Sequence, residues 1–201
     1  MKKLFFVPLI LLSLLNLNCS VFETMVNVSR LQFKLGKVEK INLGNIPIGN
    51  KSKLNDFPPV DLLKLSASFI NGEMPVSFIL NIQAKNPNDG TGGYPKTDAQ
   101  IKSFPFRLFI DNRETISGNI DNPVTVPGTG EIIIPVKINF DLIKFFKDKN
   151  YESLINLALN LGGSESSSST ITAYAQPTIT TPLGDVTYPE ELKIVSLNFS
   201  K

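Results

Sequence analysis

Val76-Ser77-Phe78-Ile79-Leu80-Asn81-Ile82-Gln83-Ala84-Lys85-Asn86-Pro87-Asn88 is the stretch whose reading decides the fold. Val76, Phe78, Leu80, Ile82 and Ala84 alternate with Ser77, Ile79, Asn81, Gln83 and Lys85. That period of two belongs to a strand with one buried face. Asn86-Pro87-Asn88 then ends it, because Pro87 has no N–H to give a ladder and asparagine side chains imitate backbone groups in turns. The turn is expected to be structural. Asn86, before proline, is pushed toward extended backbone, and with Asn88 it would satisfy groups that the ended strand leaves without partners.

Downstream the same pattern repeats. Phe104, Phe106, Leu108 and Ile110 share a face, Asp111-Asn112 is a turn, and Thr115 to Ile120 is the returning strand. Pro127-Gly128-Thr129-Gly130 turns into a long strand with Ile132, Ile134, Val136, Ile138 and Phe140 on one side. Pro135, on the other side, predicts an edge strand or a bulge. Tyr151, Leu154, Ile155, Ala158 and Leu161 change the period to that of a helix, with Asn150 as N-cap, Glu152 in the first turn and Gly162-Gly163 as the stop. Ser164 to Thr170 reads as a polar loop, and strands return at Thr170–Gln176 and Leu192–Asn198 around a Pro182–Asp185 turn.

Upstream, Val26 to Leu35 suggests an early strand with a phase slip, and Ile41 to Gly49 a Gly/Pro-punctuated loop. Val60 to Lys64 is a short apolar run that periodicity assigns neither to strand nor to helix. Asn88 to Lys102 reads as a long loop. Many short strands with turns between them make a mainly β fold: antiparallel sheets with one late helix.

The extreme N-terminus has another character. Met1-Lys2-Lys3 is basic, Leu4 to Leu15 is apolar, and Cys19, the single cysteine, follows at once. The apolar run is shorter than the roughly 20 residues that cross a bilayer. The arrangement resembles a bacterial lipoprotein signal, whose peptidase cuts before a diacylated cysteine. Asn16 and Asn18 stand where that pattern has an aliphatic and a small residue. The resemblance implies a signal over residues 1–18 and lipid attachment at Cys19, which would also remove an exposed thiol from an oxidising compartment. A lipid-anchored segment with the first strand would span 19–59, and a β domain 60–201. Ser20, rather than an aspartate, follows the cysteine, which under enterobacterial sorting habits leans toward the outer membrane.

Composition narrows the function. Losing Lys2 and Lys3 from 20 Lys and Arg leaves 18 against 18 Asp and Glu, so there is no basic footprint for nucleic acid. With 42% hydrophobic residues the chain can bury a core and is not a disordered hydrophilic protein. It has 0 His, which excludes His-dependent triads and His metal sites. Gly44 to Ser52 comes near a P-loop, but Asn50 separates glycine from lysine, and no helix is evident behind it. Asn88-Asp89-Gly90 has part of a calcium loop without the alternating ligands or distal glutamate. Glu131 and Asp141 flank a strand and read as solvated carboxylates. No catalytic residues, cofactor, metal or small-molecule substrate are expected.

The order of features, a strand into Asn86-Pro87-Asn88, a hairpin through Asp111-Asn112, the Val126 to Phe140 turn-and-strand, a late helix and a final hairpin, resembles the late-embryogenesis-abundant type 2 family. That family shares the water-stress and hypersensitive-response domain. The resemblance covers about residues 60–200. It implies a two-sheet antiparallel β-sandwich akin to fibronectin type III with one helix, and a folded, non-enzymatic protein linked to desiccation or other stress. The alternative is a membrane-tethered adaptor that recognises an envelope protein or lipid partner, for instance by strand addition. Exposed Phe109 or Ile133 would mark a binding patch.

Overall fold

A computed structural model describes residues 28, 30–91, 95–162 and 169–198, with the backbone alone for 195–198. The first layer is an antiparallel sheet of β1 (Gln32–Leu43), β2 (Ile46–Pro47), β3 (Pro75–Lys85) and β8 (Glu131–Asp141), in the order β2-β1-β3-β8. β3 is central, and the five residues that alternate in its sequence are all buried. Opposite it, Ile134, Val136, Ile138 and Phe140 of β8 are buried in unbroken register from Pro75↔Asp141 to Lys85↔Glu131.

The second layer is one four-stranded sheet broken across its middle. β4 (Ala99–Ser103), β7 (Val124–Val126), β10 (Thr178–Thr181) and β11 (Gly184–Thr187) form one half, ordered β11-β10-β4-β7. β5 (Phe106–Ile110), β6 (Arg113–Gly118), β9 (Thr170–Ala175) and β12 (Leu192–Asn198) repeat that order as β12-β9-β5-β6. Each of the four breaks contains a proline: Pro105, Pro123, Pro177 and Pro189. Without an N–H and with φ fixed, proline interrupts a ladder, so four in line bend the whole layer. Gln176 N–H to Pro105 C=O (3.0 Å) and Tyr188 N–H to Pro177 C=O (2.9 Å) stitch the bend.

Phe104, Phe106, Leu108 and Ile110 line the inner side of this layer and are buried. The Phe104 ring meets Phe33 of β1 at 5.1 Å between centroids, so the layers share one core. At the sides, β1 runs beside β12, and β8 lies near β6 and β7. The antiparallel sheets and late helix are those that the patterns predict, and their packing is the sandwich that the resemblance implies.

That late helix is α3 (Tyr151–Leu161), and Asn150 Oδ1 accepts the Ser153 N–H at 2.9 Å as its cap. It is preceded by α2 (Leu142–Phe145). A third helix, α1 (Pro59–Ile70), takes the undecided run at Val60–Lys64. Its inner face is Leu62, Leu65 and Phe69, and because Val60 and Leu63 are apolar as well, the run shows no clean helical stripe. β1 begins later than the expected strand and continues through Leu43, into what reads as a loop. The phase slip from Val28 to Leu31 falls before β1, where the Leu31 N–H donates to Val28 C=O (3.3 Å), and β1 itself carries bulges at Leu35/Val38 and Glu39/Asn42. The long loop read from Asn88 also ends early, because β4 starts at Ala99. β1 pairs along β3, so the first sheet contains strands from both sides of residue 60.

Pro135 lies on the edge strand β8, as its chemistry demands. Asn86 N–H to Gly130 C=O and Leu142 N–H to Met74 C=O (both 2.9 Å) fix the parity of the β3–β8 ladder. Pro135, opposite Asn81, therefore falls in a non-hydrogen-bonded pair, and its missing N–H belongs to the free edge. A proline there blocks strand addition along β8. Pro135→Val should leave stability within about 1 kcal/mol but produce concentration-dependent self-association, measured by light scattering. A variant that stays monomeric would show that the proline is not guarding the edge.

Candidate functional site

The Asn-Pro-Asn turn is a hub of the fold. Asn86 is fully buried; its Nδ2 donates to the carbonyls of Thr97 (2.8 Å) and Val126 (3.1 Å), and its Oδ1 accepts the Asn88 N–H (3.1 Å). One side chain thus ties the end of β3 to the segment leading into β4 and to the end of β7. Asn88 is also buried. A Cβ on Gly128 would lie 2.9 Å from Asn88 O and 3.1 Å from Thr97 O, so only glycine lets the Pro127–Gly130 turn close on this hub. Gly128 N–H donates to Asp98 Oδ1 at 2.9 Å. Arg30 Nη2 reaches Pro87 O at 3.4 Å, which brings the chain before β1 to the same end of the sandwich.

The other flagged carboxylates serve local structure too. Asp89 Oδ1 accepts the Thr91 N–H (2.9 Å) and hydroxyl (2.7 Å), which hold its carboxyl below the usual range. Asp141 caps α2 through Ile143 N–H (2.9 Å) and also accepts Met74 N–H (3.1 Å), so it is not the free carboxylate expected. Glu131 is exposed. The near P-loop at Gly44 is the β1–β2 turn, with Gly44 at φ 60° and a carbonyl, Pro75 O, accepting its N–H.

On the outer face of the second layer, sequence reading missed a clasp around Arg107. Its guanidinium donates to both Glu191 oxygens (2.9 and 2.6 Å) and to Glu114 (2.9 Å), and lies over the rings of Phe109 and Tyr174. Phe109 is therefore half-buried against Tyr174 and Arg107 rather than free. Shallow depressions flank the clasp, one of about 400 Å³ lined by Phe109, Asn112, Tyr174 and Lys193 among others. Ile133 on the first layer is 59% exposed, but it stands alone beside Pro135.

The carboxylates of Glu191, Asp148 and Asp185 are lowered by hydrogen bonds to Arg107, Arg113 and Lys102 respectively. What they add to stability is present above the ordinary carboxylate range and lost as pH falls through their lowered values. All three are exposed, and the contribution is small.

Val28 and Arg30 fasten the described N-terminal end. Val28 is buried, and its carbonyl accepts the buried Tyr188 hydroxyl. Burial pushes the Tyr188 phenol up to about 12, from about 10 in an exposed tyrosine. Since the folded value is raised, this contribution is complete below about pH 10 and is lost as pH rises toward 12. Of the 4 tyrosines, Tyr188 should titrate last in a spectrophotometric titration, and Tyr188→Phe should remove that step. If the step persists in the variant, the hydroxyl is not held as described.

α1 carries three of the five large exposed apolar side chains among the described residues. Val60 (56% exposed), Leu63 (71%) and Ile70 (79%) point outward, with Ala67 between them also exposed. Its opposite face is held by the Phe69–Tyr151 ring contact (5.6 Å) and by Tyr151 Oη donating to Leu62 O (3.0 Å). No described helix is long and apolar enough to cross a membrane. Cys19 lies outside the described residues, as do Gly92, Gly93 and most of the serine tract.

No family model and no curated protein matches the chain. Solved structures do match in outline. A solution structure of a candidate late embryogenesis abundant (LEA) protein is 16% identical, with 98% of this chain and 87% of that one covered, at a TM-score of 0.41. A protein of Arabidopsis thaliana is 13% identical over 85% of each chain at 0.40. A protein from Archaeoglobus fulgidus is 10% identical, covering 82% of this chain and 97% of its own, at 0.37. At such scores the likeness carries no functional argument.

Proposed function

We propose that this chain is a non-enzymatic cell-envelope protein, lipid-anchored through Cys19, whose β-sandwich is of the late-embryogenesis-abundant type 2 kind and is linked to desiccation or envelope stress. The order of strand, Asn-Pro-Asn turn, hairpin, long strand, helix and final hairpin supports the family reading. One observation carries the membrane-held reading, the basic start and apolar run that end at the single Cys19, and the fastening of Val28 and Arg30 to the sandwich sets how far the domain could stand from that anchor. Nine residue steps from Cys19 to Val28 extend at most roughly 30 Å, so an acylated Cys19 would keep the domain at the membrane surface. An outer-membrane location is favoured by Ser20. The polar residues that stand out in the sequence are engaged in the fold, which suits contact rather than catalysis.

The exposed α1 face favours a second reading, a tethered module that recognises an envelope protein or lipid partner. Survival of a deletion strain after drying separates the two. Loss of survival that the wild-type gene restores supports the stress role. Unchanged survival, with a stoichiometric partner recovered by crosslinking, supports the adaptor.

A further inference from the structure

We infer that the outward face of α1 rests on the same bilayer that holds the anchor, with Val60, Leu63, Ala67 and Ile70 in its interfacial layer. The inference rests on the lipid-anchored reading of Cys19. At 100° per residue these four positions fall within about 80° of arc, and they include three of the five large exposed apolar side chains among the described residues. Single exposed apolar residues are ordinary, whereas a continuous stripe marks a contact. The helix cannot roll to hide it, because Leu65 is buried on the opposite side and Tyr151 holds Leu62 and Phe69.

A second copy of the chain fits the stripe poorly. α1 has 12 residues, about 18 Å of helix, and four side chains fall short of the ~800 Å² per partner that a stable dimer buries. A bilayer needs no matching shape. It is also the surface that a short tether would keep close, at high effective concentration.

The geometry fixes how the domain would lie. The tether enters at the Lys85 end of β3, where Arg30 meets Pro87, while α1 leads into the Pro75 end. β3 has 11 residues, about 37 Å, against roughly 30 Å of tether. The sandwich must therefore lie with its strands along the membrane. Around α1, Lys51, Lys53 and Lys64 are matched by Asp56, Asp61 and Glu73, so apolar burial rather than headgroup charge drives the contact.

The chain has 0 Trp, so one introduced tryptophan reports its own surroundings. Full-length acylated Leu63→Trp and, as control, Ile133→Trp would be reconstituted in phosphatidylcholine vesicles with or without brominated acyl chains. Both positions are exposed, and circular dichroism checks that the fold is kept. Leu63→Trp should be blue-shifted and quenched about twofold by bromine, unchanged by salt, with Ile133→Trp unaffected. Vesicles that float with the protein but leave Leu63→Trp water-like and unquenched refute the inference and spare the anchor. Protein that does not float refutes both. Equal quenching of Ile133→Trp, or a blue shift that tracks dimer formation without bromine quenching, also overturns it.

Discussion

Phe104→Ala should cost about 3–5 kcal/mol, a large share of the ~5–15 kcal/mol that keeps a domain folded. Phe104 is fully buried at the joint between β4 and β5, and its ring bridges the layers to Phe33. Its backbone N–H is tied to Asn119 Oδ1 at 2.6 Å. That bond and Pro105 fix the bend in position, so neighbouring residues cannot easily close over the cavity. Urea unfolding would read the loss as a lower midpoint with an unchanged slope. A shift of less than about 1 kcal/mol would mean that the two layers do not share a core at this point.

Asn86→Ala should cost about 3 kcal/mol, because it leaves two carbonyls and one N–H without partners in a largely buried place, at roughly 1 kcal/mol or more each. Asn86→Asp should cost more. It keeps the acceptor for Asn88 N–H but turns a carboxylate oxygen toward Thr97 O and Val126 O, where Nδ2 donates in the wild type. Any partner binding or stress phenotype should fall only with the folded fraction. If Asn88→Ala kept its full melting temperature yet abolished a partner or phenotype, the turn would be a recognition tip.

Some of this was legible in the residues. Val76–Lys85 and Glu131–Phe140 each send one face into the core, and the period of two stays visible in β3 because its other face, where Asn81 is buried too, is mostly polar. The Asp111-Asn112 turn was legible as well, since both residues adopt positive φ (49° and 62°), which a two-residue hairpin requires and Asp and Asn tolerate. α1 was not, because it is apolar both where Leu65 packs inward and where Leu63 faces out. β1 was blurred by its two bulges, and β4 is too short for its Ala99 and Ile101 alternation to stand out.

The same limit applies to side-chain roles. Pro87 announces a turn locally, but the partners of Asn86 lie 11 and 40 residues away. Arg107 and Glu191 are 84 residues apart. Such pairs exist only once the layers bend at their prolines, and no local pattern encodes them.

Mass spectrometry of the intact protein extracted from the membrane fraction tests the membrane-held reading most directly. The predicted result is a chain beginning at Cys19, heavier by a diacylglyceryl group and an N-linked acyl chain, with Cys19→Ala unprocessed or released from the membrane. Two signals of this kind exceed the marginal hold of a single acyl chain. A wild-type chain with an unmodified Cys19 would contradict it.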